Sequence, residues 1–229
     1  LPQEPTSGET PLDYSRRLLI LVNGLTRPQF VTSNPHRGNG LFQFHAQPFQ
    51  FGAQELEGLK IFLAEPSATS PTRQELSAGK IGNCLACHAA PNFTDFKLHN
   101  TGTTQREYDS IHGVNSFATL TIPTLAARNG NYNGFLPATE VHPNASERFR
   151  AVPVLADPAL TDLGAWNVFA NPDMPNPQAK IRAILCDDQM ACPLSDATLL
   201  DRAIARFKTP GLRDLSHSAP FMHNGQFST

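Results

Sequence analysis

Charge is scarce in this chain, and neither sign accumulates. Asp, Glu, Lys and Arg make up 17% of the 229 residues, and 18 basic against 20 acidic side chains leave a formal charge of −2. That balance offers no electrostatic footprint for nucleic acid or for an anionic membrane surface. Long apolar runs are also lacking. Leu18-Leu19-Ile20-Leu21-Val22 is far shorter than the roughly 20 residues that span a bilayer, so no membrane span is expected. No internal repeat and no convincing run of strands appears. Cysteine is limited to four, whereas Pro numbers 20 and Gly 15. Such a composition predicts long irregular segments wrapped around something that organises them.

Cys84-Leu85-Ala86-Cys87-His88 identifies that organiser. Two thiols three positions apart project from one face of a helical turn, where they can add to the two vinyl groups of one haem. The adjacent His88 then offers a ring nitrogen to the iron as proximal ligand. The alternatives are a thioredoxin-like redox pair, which wants a strand before it, and half of a zinc site. Ser77 to Asn83 is instead a small-residue approach into a helix. One covalently attached haem c is therefore expected, and its apolar face supplies core that secondary structure would otherwise provide.

Cys186 and Cys192 remain, bracketing the polar stretch Asp187 to Ala191. A Cys₄ zinc site pooling both pairs would leave His88 idle; a local disulfide is simpler, and so short a ring contributes on the order of 2 kcal/mol. Disulfide and covalent haem together point to the periplasm or another extracytoplasmic compartment. No signal peptide precedes Leu1, which reads as a mature or trimmed terminus.

Along the chain, Thr10 as N-cap and Pro11 as first helical residue predict a helix through Tyr14, Leu18, Leu21 and Val22, stopping near Gly24. From Phe30 to Phe51 the pairs Phe42/Phe44 and Phe49/Phe51 alternate like strands, but Pro35, Pro48 and two glycines interrupt any long ladder. Aromatic packing of an irregular segment against the haem domain is expected. A helix from about Ala53 to Leu63 shows Leu56, Leu59, Ile61 and Phe62. The haem helix is placed near Lys80 to His88, and residues 91–177 read as loop-dominated. Ala179 to Leu185 forms a short helix. Ser195 caps another through Leu199, Leu200, Ile204 and Phe207, ending before Thr209. The fold class is mainly α with long irregular loops and few strands: residues 1–52 carry a helix and the Phe-rich segment, and residues 53–229 form the haem domain.

Two further motifs make a family visible. After the haem motif comes Pro91-Asn92-Phe93-Thr94-Asp95-Phe96-Lys97-Leu98-His99-Asn100-Thr101-Gly102. Near the end lies Phe207-Lys208-Thr209-Pro210-Gly211-Leu212-Arg213, running on to Met222-His223-Asn224-Gly225. In this order the three resemble the second, electron-transfer haem domain of the bacterial di-haem cytochrome c peroxidase and MauG-like family, over roughly Gln54 to Thr229 with a divergent middle. The resemblance implies a periplasmic, mainly α protein of two cytochrome-c-like domains, one meeting peroxide and the other storing or delivering electrons. This chain departs from it by carrying one haem motif where the family has two, with only 83 residues before Cys84. The peroxide-activating domain is then missing or resides on another polypeptide. The chain also stops at Ser228-Thr229, where the family begins a helix carrying a distal Met or Tyr; truncation, proteolysis or an incomplete sequence is expected over a natural terminus.

The resemblance also distributes roles. His99 resembles a second-layer residue or a propionate and loop anchor, with an ordinary hydrogen-bonded histidine as the alternative. Pro210, Leu212 and Arg213 resemble the haem-wrapping segment. Arg213 can meet a propionate in matched fork geometry, with Arg106 and Arg128 as competitors. His223 lies in the family's haem-facing turn. Met222 and Met174 are the thioether candidates for a distal ligand, although Met is normally a core filler. The backbone carbonyls of Ser218 and Pro220 match positions that hold calcium between the family's two domains, and absence of the other domain weighs against that calcium. His36 and His45 stay unassigned.

Two functions compete. One is an electron-transfer module, with His88 and a second ligand on the iron, passing single electrons to a redox partner protein or a second haem subunit or domain. The other is a peroxidase reducing hydrogen peroxide at an open distal site beside an acid/base residue. No Glu or Gln in a recognisable distal motif is present, which favours electron transfer.

Overall fold

The computed structural model describes the chain apart from residues 38–39, 67–71, 73, 75–77, 80, 190–191, 214–221, 224 and 226–229. The expected roles of Ser77, Lys80, Ser218, Pro220, Ser228 and Thr229 lie outside the described residues. Two compact units divide the chain: Leu1–Asp95 with Pro210–Arg213, and Phe96–Thr209 with Asp214–Thr229. The boundary expected after residue 52 falls inside the first unit, because the residues on its two sides share one core. Helices dominate the secondary structure, with two short two-stranded pairs.

In the first unit, helix α1 (Pro11–Asn23) starts as its cap dictates. The Thr10 hydroxyl accepts the Asp13 N–H, and Pro11 occupies the first turn, where its missing N–H costs nothing. Helix α2 (Ala53–Leu63) opens with the Glu55 carboxylate accepting the Gly52 N–H at 2.7 Å. Val22, Phe30 and Leu56 form the core between them, with Phe42, Phe51 and Leu59 packed against it. The faces differ from expectation in two places. Leu21 and Ile61 are exposed, while Ser15 is fully buried because its hydroxyl has partners on both sides.

The Phe-rich segment is more ordered than its prolines suggest. Strands β1 (Phe30–Thr32) and β2 (Phe42–Phe44) pair in parallel, Phe30 opposite Phe42, and Phe51 bridges Val31 from the other side. Phe30, Phe42 and Phe51 pack inward as expected. Phe44 and Phe49 stand more than half exposed, so the aromatic packing holds for only part of the set.

In the second unit, β3 (Leu98–His99) pairs antiparallel with β4 (Phe207–Lys208). Between them run α3 (Thr103–His112), α4 (Leu125–Gly130), α5 (Tyr132–Phe135), α6 (Gln178–Leu185) and α7 (Asp196–Ala203). Residues 91–177 are loop-dominated as expected, interrupted by α4, α5 and, longest of them, α3. That helix has no apolar stripe, since the residues it buries are Thr103 and Thr104; the Thr104 hydroxyl donates to the Asp162 carbonyl at 2.7 Å. The last helix is also shorter than expected. Ser195 caps it as read, but it ends at Ala203. Ala205 turns left-handed with its N–H on the Leu163 carbonyl, and Phe207 joins a strand.

The second core gathers Leu136, Phe149, Leu163, Trp166, Leu199 and Leu200, all essentially inaccessible. Arg128 sits inside it. Its guanidinium donates to the carbonyls of Trp166, Phe169 and Ala170 and lies 4.9 Å from the Trp166 ring. Burial pushes its pKa down to about 10, which leaves it charged at neutral pH. Its competition with Arg213 for a propionate is corrected accordingly: those donors serve the core. Cys186 and Cys192 are joined in the disulfide read from their spacing, across the turn that follows α6. With their sulfurs bonded to each other, the pooled zinc site falls away. Among the described residues, no helix is long and apolar enough to cross a membrane.

A second polar tie holds the loops of this unit. His142 Nδ1 lies 2.8 Å from the Asp173 carboxylate, which also accepts from the Thr139 hydroxyl; the imidazole stacks on Tyr132 at 3.9 Å. The hydrogen bonds from His142 and then Thr139 hold the Asp173 carboxyl below the usual carboxylate range. A depressed carboxyl stabilises the fold above the unfolded value of about 3.9, and that stabilisation disappears as pH falls through the lower folded value. Asp173→Asn is therefore expected to melt below the parent at pH 7, with the gap closing as the pH drops into and below the carboxylate range. Thermal melts across that range check it, and a gap that persists in acid would contradict it.

Candidate functional site

Cys84, Cys87 and His88 lie on the first unit's surface in a short turn, not at the end of a long helix. The helix expected near Lys80 to His88 is corrected: Cys84–Ala86 is a single 3₁₀ turn. Two local features stop anything longer. Asn83 is left-handed at φ 50°, and the Gly82 N–H is taken by the Ile61 carbonyl at 2.9 Å, at the end of α2. From Cys84 onward the chain is helical in its bonding, because the N–H groups of Cys87 and His88 both reach the Cys84 carbonyl, at 3.2 and 2.8 Å.

Gly82 is required by closeness. A Cβ there would stand 2.8 Å from the Cys84 sulfur and 3.1 Å from the Ile61 carbonyl, so any side chain displaces the first thiol. Both thiols are half-buried and reduced. Burial pushes the Cys84 thiol up; burial, then the Asp95 charge, pushes Cys87 up as well. Redox-active Cys-X-X-Cys pairs show the opposite shift, toward thiolate. These thiols are held neutral.

His88 carries the most informative contact. Its Nδ1 lies 2.8 Å from the Phe93 carbonyl oxygen. A carbonyl can only accept, so Nδ1 holds the proton and Nε2 keeps its lone pair. This is the carbonyl-oriented imidazole that metal-ligating histidines use, with the partner fixing tautomer and ring direction. The carbonyl is aimed by an unusual backbone: Phe93 is left-handed at φ 54°, and its N–H returns to the Ala89 carbonyl at 2.8 Å. The Phe93 ring meets Phe62 of α2 at 6.0 Å.

Three anchors hold this turn in place. Besides the Gly82 contact to α2, the buried Ala90 N–H donates to the Ser15 hydroxyl of α1 at 2.9 Å. The third anchor is the Pro210–Arg213 segment. Arg213 donates through Nε and Nη2 to the Pro91 carbonyl at 2.8 and 2.6 Å. A Cβ on Gly211 would lie 3.3 Å from the Asn92 carbonyl. Pro210, Leu212 and Arg213 are thus brought beside the residues following the motif, and Arg213 acts there as a strap.

His99, Met222 and His223 belong to the second unit. His99 sits in β3 opposite Phe207, and Met222 is left-handed at φ 71° and 56% exposed, in a turn where its carbonyl accepts the Gly225 N–H. His223 is exposed beside it. His45 Nδ1 accepts the Gln47 N–H, which accounts for one of the two unassigned histidines. Sequence reading missed Gly82, Ser15 and Phe93. The close Gly-Asn-Cys approach was a signal for the first; a buried serine and a backbone carbonyl leave none.

No family model matches the chain, and no solved structure does. Among curated proteins, it is similar to the cytochrome-c peroxidase IdrP2 of Denitromonas iodatirespirans, 27% identical over 155 residues, covering 68% of this chain and 27% of the relative. The cytochrome-c peroxidase IdrP2 of Pseudomonas sp. (strain SCT) is likewise 27% identical over 154 residues, covering 67% of this chain and 27% of the relative. The relationship to cytochrome-c peroxidases is distant, and the chain spans about a quarter of the length of these relatives.

Proposed function

We propose that this chain is a c-type haem protein of cytochrome-c-like fold that carries out one-electron transfer, as the electron-transfer part of a di-haem peroxidase/MauG-like oxidoreductase. The observation that carries the reading is the His88–Phe93 hydrogen bond directly after two neutral thiols. The residues fit the group. Cys84 and Cys87 offer two protonated thiols three positions apart in sequence for a haem's two vinyl groups, Gly82 leaves room for the first of them, and Nε2 of His88 is the ring nitrogen left for iron. A haem c bound there supplies reversible one-electron Fe(III)/Fe(II) chemistry.

The chain's own residues hold that group in place. The Phe93 carbonyl keeps a proton on Nδ1 and raises the basicity of the ligating nitrogen. Ser15, Ile61 and Arg213 tie the turn to three separate segments, which keeps the ligand's direction fixed during a change of iron charge. Peroxide activation asks in addition for an open iron face and a positioned proton donor. The resemblance of the three motifs to the family's second haem domain assigns that work to a different domain or chain, the redox partner. The Cys186–Cys192 disulfide and the covalent attachment support a periplasmic or other extracytoplasmic location.

The names of the two relatives favour the rival reading, a peroxidase in its own right. Spectroelectrochemistry of the isolated holoprotein, alongside peroxide turnover with a reduced cytochrome donor, separates the two. Reversible one-electron reduction with turnover near background is expected. Sustained turnover by the single-haem chain would overturn electron transfer in favour of peroxide reduction.

A further inference from the structure

The second unit contains a cavity of about 410 Å³ that the haem reading does not use, within the range of small-molecule sites. Its shape comes from the strand pair. Gly164, at φ +58°, lets the chain approach so closely that a Cβ there would lie 2.3 Å from the Arg206 carbonyl, which accepts the Ala165 N–H at 2.7 Å. This clamp brings β4 and the Ala165–Val168 turn together with helix α6. The walls are apolar: Leu98 and Phe207 from the strands, Val168 from the turn, Ile181 and Ile184 from α6, with the half-exposed ring of Phe96 completing the lining.

The charge of the lining is one-sided. Lys180, Arg206 and Lys208 border the cavity, and among the described residues no Asp or Glu does, in a chain whose acids outnumber its bases. Arg206 is oriented by a hydrogen bond from Nη1 to the Leu98 carbonyl at 3.3 Å. Among the described residues the two lysines make no ion pair, and both are exposed, so their ammonium groups can meet an anion without breaking a bridge there. Apolar walls with a cationic border match a molecule that is apolar along its body and anionic at one end.

We propose that this cavity is a binding site for an amphipathic carboxylate, its chain against Val168, Ile181, Ile184 and Phe207 and its carboxylate among Lys180, Arg206 and Lys208. The inference does not depend on the haem assignment. Isothermal titration of the holoprotein with dodecanoate, and with dodecanol as the uncharged comparison, tests it. One dodecanoate per chain is expected, with dodecanol and the Lys180→Gln/Lys208→Gln variant each about tenfold weaker, the effect of losing partly exposed charge pairs. Val168→Trp, which fills the cavity, is expected to abolish binding while the thermal melt stays cooperative. Absence of saturable binding, dodecanol binding as tightly as dodecanoate, or affinity unmoved by either variant would overturn the proposal; the last would place the ligand elsewhere, including against the haem.

Discussion

His88→Gly is expected to keep its pigment attached through Cys84 and Cys87 yet lose the low-spin visible spectrum of the parent. Added imidazole should restore it. The reason lies in the division of labour within the turn. The two sulfurs proposed to attach the haem are set by Gly82 and the Cys84–Ala86 turn, whose backbone bonds do not involve the imidazole. The ring's own support is the Phe93 carbonyl at 2.8 Å, which survives the substitution as an orphaned acceptor. A free imidazole entering the gap can donate one N–H to that carbonyl and turn its other nitrogen outward, as the native ring does. An outer partner of this kind is worth about 10–100-fold in metal affinity, so His88→Gly rescued by imidazole should outperform rescue by a ligand without an N–H, such as pyridine. A parent-like spectrum in the unrescued variant would show that His88 is not on the iron.

The largest effect on stability is expected at Arg128. Arg128→Met removes a charge that is fully buried and strands the carbonyls of Trp166 and Phe169 in the core of the second unit, while the Ala170 carbonyl keeps the Asn129 amide as donor. Breaking such an arrangement from one side costs about 3–5 kcal/mol, because the partners stay desolvated without donors. Arg128→Lys should recover only part, since one ammonium cannot reproduce a planar fork over three carbonyls and the Trp166 face. Denaturant unfolding measures both; a loss under about 1 kcal/mol for the methionine variant would contradict the central place given to this side chain.

The elements legible in the sequence were those announced by local chemistry. Thr10-Pro11 opened α1 and Ser195 opened α7 because a cap acts within three residues of itself. Leu56, Leu59, Ile61 and Phe62 placed α2, and of these Leu56 and Leu59 meet a core while Ile61 is exposed. Helix α3 was invisible for the converse reason, since it buries threonines. The early stop of α7 depends on Ala205 adopting a left-handed backbone, a conformation that no glycine flags. The expected haem helix failed similarly at Asn83.

The candidate site divides along the same line. Cys84, Cys87 and His88 are readable as a candidate haem site because covalent attachment would demand fixed spacing of named side chains. The Phe93 carbonyl is not, since every residue has one and only the φ of 54° aims it. Arg213 was singled out from the resemblance for a propionate, whereas its hydrogen bonds to the Pro91 carbonyl give it a strap's role that its charge alone did not suggest. Arg128 shows the opposite error. A guanidinium read as a competitor for a haem propionate is spent on the interior, which sequence position cannot reveal.

The claim at the centre is that this turn carries one covalently bound haem. Intact-mass measurement of the pigmented chain, produced with c-type maturation and washed in acidic organic solvent, tests it most directly. The account predicts the 25.0 kDa polypeptide plus the mass of one haem, with the pigment retained by the parent and lost from Cys84→Ser/Cys87→Ser. Polypeptide mass alone, with the colour in the organic phase, would contradict it.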